Sequence, residues 1–157
     1  MLLDSIVTQD PTEWATMINV NVFGVLNAIH SVIEGMIERK DGVVVNVSSI
    51  AGQKLFPNHS VYCATKFAVH AITERLRAEC APHSVRVCVI SPGAVETELL
   101  GHTTNENVKS GYNDWKTSMA EGVLLPEDVS EAVLFATSSH RRCCIREITL
   151  APTYQEP

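Results

Sequence analysis

Trp14, Met17, Asn21, Val25, Ala28, Val32 and Met36 recur at spacings of three and four residues, the period of one helix face, and predict a helix over 11–40. Its start is written locally: Asp10 can cap, Pro11 suits the first helical position and Glu13 can reach back to the cap. Asp41-Gly42 is expected to stop it. Residues 43–47 are β-branched and apolar apart from Asn46, and predict a strand buried on both faces, as in parallel sheets. Residues 48–58 read as a loop punctuated by Gly52 and Pro57. A second helix is expected over 60–81, ending before Pro82. A second strand covers 85–90 and closes at Ser91-Pro92-Gly93. Residues 98–122 are polar and mixed and read as a mobile stretch with weak helix. Pro126-Glu127-Asp128 opens a third helix to 138, 145–150 form a last strand, and Pro152 begins a tail.

The alternation of helix and strand points to an α/β fold, a parallel sheet with crossover helices, in one domain over 1–157. The strand at 43–47 carries neither the charge nor the Pro of an exposed edge. A neighbour is therefore expected on its open side.

Composition narrows the function classes. Hydrophobic residues make up 45% and charged residues 19% of 157 residues, a globular balance with enough chain for one core. A formal charge of −6 without a long basic run argues against nucleic acid, whose phosphates need clustered Lys and Arg. No uninterrupted apolar stretch reaches the ~18 residues of a membrane span. Met1-Leu2-Leu3-Asp4 lacks the basic flank and apolar core of a signal peptide, so no membrane partner and a cytoplasmic location are expected. Five cysteines without a CxxC pair suit neither a disulfide framework nor a metal site. Cys80 and Cys88 read as core fillers, and Cys143-Cys144 as packing residues.

The chemistry concentrates at the ends of the strands. Tyr62 and Lys66, four residues apart on a helix, share a face. A free tyrosine has a pKa near ~10, and a nearby ammonium is expected to lower it. The pair could then donate and recover a proton at a substrate oxygen. Ser49 directly follows a buried strand, at the sheet edge where open α/β folds bind ligands. A hydroxyl and a phenol could therefore converge on one carbonyl oxygen. Asn21 lies on an apolar helix stripe, where its amide needs partners. The turn Ser91-Pro92-Gly93-Ala94-Val95-Glu96-Thr97 lies at the same edge and could present backbone groups to a planar amide.

Taken in order, Asn21, Ser49, Tyr62-Cys63-Ala64-Thr65-Lys66 and Pro92-Gly93-Ala94-Val95-Glu96-Thr97 resemble the short-chain dehydrogenase/reductase (SDR) family. The resemblance covers nearly the whole chain, including the thirteen-residue step from Ser49 to Tyr62. It implies part of a doubly wound, Rossmann-type parallel sheet: its three C-terminal strands with flanking helices. It implies hydride transfer between NAD(P) and a carbonyl or secondary alcohol, with Asn21, Ser49, Tyr62 and Lys66 catalytic. Tyr62 would be the acid-base, Lys66 would lower its pKa and bind the nicotinamide ribose, and Ser49 would polarise the substrate oxygen. Asn21 would anchor a water in the proton relay. Tyr62, Lys66, Pro92, Gly93, Val95 and Thr97 would contact the cofactor, Val95 through its backbone.

Residues 98–122 would be the substrate loop, and helices 11–40 and 60–81 the homo-oligomer interface of the full-length parent. The 125–129 and 145–153 segments resemble NADP-dependent 3-hydroxy acid dehydrogenases, a slight lean to NADP and a small hydroxy or carbonyl substrate. The family's glycine-rich TGxxxGxG turn and its Asn-Asn-Ala-Gly stretch do not occur. The chain is therefore expected to be a fragment or truncated product that binds NAD(P) poorly alone. The alternative is a non-catalytic truncated module that pairs with intact relatives. An extended-type family member fits less well, because of the Pro92–Thr97 turn and the short C-terminal part.

Overall fold

The computed structural model describes residues 1–155. Helices α1 (Pro11–Ile18) and α2 (Gly24–Glu38) join through a π-helical turn, Asn19–Phe23, into one run. Strand β1 (Gly42–Val47) follows, then α3 (Ser60–Cys80), β2 (Val85–Pro92), α4 (Glu106–Thr117), α5 (Pro126–Ser138) and β3 (Glu147–Leu150). The strands lie in the order β1-β2-β3, all parallel. The expected α/β alternation is what folds.

Strand periodicity explains why helices cover both faces. Alternate side chains point to opposite sides. Val44, Val85 and Val87 meet Ile29, Val25 and Ile33 of α2 and Ile72 and Leu76 of α3. Val45, Cys88 and Ile90 face the other way, onto Val129, Val133 and Ala136 of α5. β2 is the central strand, buried from Val87 to Pro92. Beneath this layer, Asn46 donates to the Thr73 hydroxyl at 2.8 Å, both buried. Thr73→Val should cost about 1–3 kcal/mol by stranding that amide, read as a fall in the denaturation midpoint.

Several expectations change in the structure. Asp10 caps α1 by accepting from the Thr12 amide at 2.8 Å. Glu13 does not reach back to the cap; its carboxylate accepts instead from Gln9 and from the Thr104 hydroxyl before α4. The stripe expected along the first helix fails at its middle, for Ala28 and Val32 are exposed. The π turn widens the helix by one residue, so Ile29 and Ile33 take the inward positions. The helix stop also lies earlier than Asp41-Gly42. Lys40 takes the left-handed conformation at φ 53°, and Asp41 N–H closes on Met36 O at 3.1 Å. Gly42 is needed for another reason: a Cβ there would lie 2.6 Å from Met36 Sδ.

β1 is not buried on both faces here. It forms an edge, with Val47 47% exposed. The run Pro11–Glu38 includes an 18-residue window of mean hydropathy 1.4, long and apolar enough for a membrane span. Its Asn and His residues interrupt the run, so the average is high although no apolar stretch is unbroken. It packs on α3 and the sheet, through Met17 in one cluster and Ile29 in another. Cys80 and Cys88 are buried, as expected of core residues. Cys143 is exposed and Cys144 half-buried, because a turn closed by Cys143 N–H on His140 O sends the Cys143 side chain outward. Residues 98–122 contain the twelve-residue helix α4, more order than their polarity suggested. Asn105 starts it by accepting from the Asn107 and Val108 amides, a sequence-local cap.

Candidate active site

The parallel register places Val47 beside Ile90, so the segments leaving β1 and β2 emerge side by side at the carboxyl edge of the sheet. Ser49 leaves the first and caps a short 3₁₀ turn, Ile50–Gly52, accepting from Ala51 N–H at 3.1 Å. Its own hydroxyl donates to Pro92 O at 3.3 Å, tying the two strand ends together. The chain then returns to begin α3 at the same edge, with Tyr62 in the first turn.

A cavity of about 820 Å³ opens here. Its wall includes Ser49, Tyr62, Lys66, Pro92, Gly93, Val95 and Thr97. Seven of the eight residues selected from the sequence thus share one cavity. Asn21 is not on that wall. It lies in the π turn, and its amide donates to the Thr65 hydroxyl at 3.1 Å. Thr65 in turn donates to Tyr62 O at 2.7 Å, so Asn21 reaches the Tyr62 turn through one buried intermediary.

Burial sets the electrostatics. The phenol of Tyr62 is pushed up to about 12, first by burial, with the Ser49 hydroxyl pulling the other way. The spacing predicted that an ammonium would lower it, but burial dominates the shift and Lys66 is not among its causes. Lys66 lies with its Nζ 5.7 Å from the Tyr62 ring centre and donates to Val47 O at 3.2 Å. Burial pulls the Lys66 ammonium down to about 8. Tyr62 is therefore a protonated donor at neutral pH.

The Lys66 shift has a stability consequence of definite sign. Below about 8 the amine is charged in both folded and unfolded chains, and the fold holds a poorly solvated charge. Between about 8 and the ordinary lysine value of 10.5 the unfolded chain binds more protons, so stability rises with pH. The native chain should gain on Lys66→Met across that window. Parallel urea titrations of both proteins at several pH values measure it; parallel curves would contradict the burial of the charge.

The turn after β2 is held on both sides. Gly93 N–H donates to Leu150 O at 2.7 Å, and Ala94 N–H to the Gln155 side chain at 2.8 Å. Leu124 pairs with this turn, its N–H on Ala94 O and its C=O receiving Glu96 N–H. Alternation along an extended chain then points the Val95 N–H and C=O the other way. Gly93 has no room for a side chain, since a Cβ would lie 2.9 Å from that of Ala151.

Four contributors were not singled out as site residues from the sequence, although Tyr112 and Trp115 lie in the 98–122 stretch expected to be the substrate loop. Gln155 belongs to the stretch read as tail, yet it lines the cavity and holds Ala94. His59 precedes α3, and Tyr112 and Trp115 lie one turn apart on α4; all three line the cavity. Aromatic residues inside an otherwise polar segment were the available signal. Lys116 fastens α4 to the Pro92–Thr97 turn by an ion pair with Glu96 at 2.7 Å.

A parallel sheet with helices on both faces and a cavity at the carboxyl ends of its strands defines a Rossmann-type α/β protein. The sequence matches the short chain dehydrogenase family over residues 4–108, and the chain belongs to that family. It is 36% identical over 145 residues to an uncharacterized oxidoreductase of Staphylococcus saprophyticus, covering 91% of this chain and 57% of that protein. Its fold is similar to the closed form of a serine dehydrogenase complexed with NADP+, with a TM-score of 0.85 and 30% identity over 99% of this chain and 62% of the other. It is also similar to a 3-oxoacyl-[acyl-carrier protein] reductase of Brucella melitensis with bound NAD, at a TM-score of 0.75 and 27% identity over 95% and 54%. The chain thus spans less than two thirds of the length of these proteins.

Proposed function

We propose that this chain carries the proton-transfer and nicotinamide-side part of an NAD(P)-dependent oxidoreductase that interconverts a carbonyl and a secondary alcohol. The observation that carries this reading is the placement of Ser49, Tyr62 and Lys66 on one cavity wall at the carboxyl edge of the sheet. The wall also suits the nicotinamide half of the cofactor: the Lys66 ammonium is a donor for a ribose hydroxyl, and the outward Val95 backbone suits a carboxamide. When bound, the nicotinamide supplies or accepts the hydride.

The chain's own residues do the rest. The Ser49 hydroxyl exchanges its bond to Pro92 O for the substrate oxygen and fixes that oxygen near Tyr62. Tyr62 delivers its phenolic proton to the oxygen in reduction and recovers it in oxidation. Lys66 holds positive charge beside the ring and favours the phenolate that each delivery leaves. Asn21 steadies the Tyr62 turn through Thr65. The NADP-bound serine dehydrogenase supports a lean to NADP, while the NAD-bound reductase keeps NAD in view. Ile18, Val20, Phe23 and Leu26 on the first helical run and Phe67 on α3 are exposed apolar side chains, available to be covered by a second copy.

The direct test follows reduced-nicotinamide absorbance with a panel of ketones and aldehydes, using the polypeptide that contains this chain. Carbonyl-dependent, saturable oxidation supports the proposal. A folded protein that binds the nicotinamide and turns over no carbonyl or alcohol rejects it.

A further inference from the structure

We infer that His59, Tyr112 and Trp115 form a subsite for an aryl group on the carbonyl substrate, which rests on the oxidoreductase reading of the cavity. The ring cluster starts at Tyr62. His59 meets its ring edge-on at a centroid separation of 6.1 Å. Tyr112 lies 6.1 Å beyond His59, and Trp115 stands edge-on to Tyr112 at 5.1 Å. Phe56 flanks His59 at 5.8 Å. All five rings line the cavity, so an aromatic wall runs outward from the proton-transferring phenol. A carbonyl held at Ser49 and Tyr62 would lay its substituent along that wall. Offset and edge-on contacts of this kind favour planar rings over saturated groups of equal size.

The cations on the wall point the same way. Lys116 is paired with Glu96, and Lys66, bonded to Val47 O, is the cation that the oxidoreductase reading gives to the nicotinamide ribose. Among the described lining residues no further lysine or arginine stands by to pair a substrate carboxylate. Within the sequence lean to a small hydroxy or carbonyl substrate, the wall favours an aryl ketone or its alcohol over an acid. Tyr112 adds specificity: its hydroxyl has no hydrogen-bond partner among the described residues and sits half-buried on the wall.

The test is a binding titration of the chain with Trp14→Phe, which leaves Trp115 as the only indole. Trp115 fluorescence is followed as 2-acetylnaphthalene is added, with cyclohexyl methyl ketone and acetoacetate as competitors. Saturable quenching that neither competitor displaces at about tenfold higher concentration is the expected result. Tyr112→Leu and His59→Ala should each weaken binding about 2- to 10-fold, the range of one aromatic pair, while Tyr112→Phe keeps most of it. Equal competition by the saturated ketone, tighter binding of acetoacetate, or unchanged affinity in both ring-deletion variants would overturn the subsite. Near-ultraviolet circular dichroism identifies a variant that has lost its fold, and the second variant then decides. The titration contains no nicotinamide and follows no turnover. Its failure leaves the redox role of Tyr62 standing, and absence of turnover leaves the subsite standing.

Discussion

Tyr62→Phe should lower kcat by about 10²- to 10⁴-fold, the range of general acid–base catalysis, with little change in KM or stability. The ring is buried against Leu3, Met17, Ala51 and Cys63, and phenylalanine keeps that packing. Only the hydroxyl is lost. That hydroxyl is protonated at neutral pH and within hydrogen-bonding reach of Ser49. A variant with kcat within a few-fold of the parent would remove Tyr62 from the proton path. A large KM change at constant kcat would make it a binding residue instead.

The second large effect is structural and falls on Gly52. A Cβ at this position would lie 2.6 Å from the His70 ring, 2.7 Å from Ser48 Oγ and 2.8 Å from the backbone oxygen of Lys66. Two of these neighbours cannot move cheaply. The Ser48 hydroxyl donates to that same Lys66 oxygen at 3.1 Å, and His70 is bonded to buried Ser91 at 3.1 Å. Gly52→Ala should therefore cost about 1–3 kcal/mol, as overpacking does elsewhere. It should also lower turnover, because relief requires the Ser49 loop to move away from the Lys66 turn. Gly111→Ala is the control: a Cβ there meets nothing within 4 Å. Inside α4 it should stabilise by about 0.5–1 kcal/mol. Equal melting temperatures for Gly52→Ala and the parent would show that the loop is looser than its contacts imply.

Much of the fold was legible because the relevant signals are local. Val43–Val47 and Val85–Ile90 are β-branched and apolar enough to mark strands of a buried sheet. Asp10-Pro11 and Pro126-Glu127-Asp128 mark helix starts whatever lies around them. The candidate site was legible for a related reason. Ser49 and the Pro92–Thr97 turn follow strands, and parallel strands deliver their carboxyl ends to one edge. The Tyr62–Lys66 spacing fixes a shared helix face. Those facts needed no long-range contact.

What the sequence could not settle depended on distance through space. The π turn at Asn19–Phe23 moves the inward face from Ala28 and Val32 to Ile29 and Ile33, and no propensity marks that extra residue. The order of Gln155 comes from an acceptor role at Ala94, 61 positions away. The wall of His59, Tyr112 and Trp115 exists because α4 folds back over the start of α3. The protonation of Tyr62 was decided the same way. Spacing put an ammonium on the phenol's side of the helix, but burial sets the shifts of both groups. Sequence alone thus determined the class of fold and which side chains reach the sheet edge, since both follow from short-range periodicity. Tertiary structure decided their desolvation, their partners and the ring-lined wall opposite, because each depends on what distant segments pack against them.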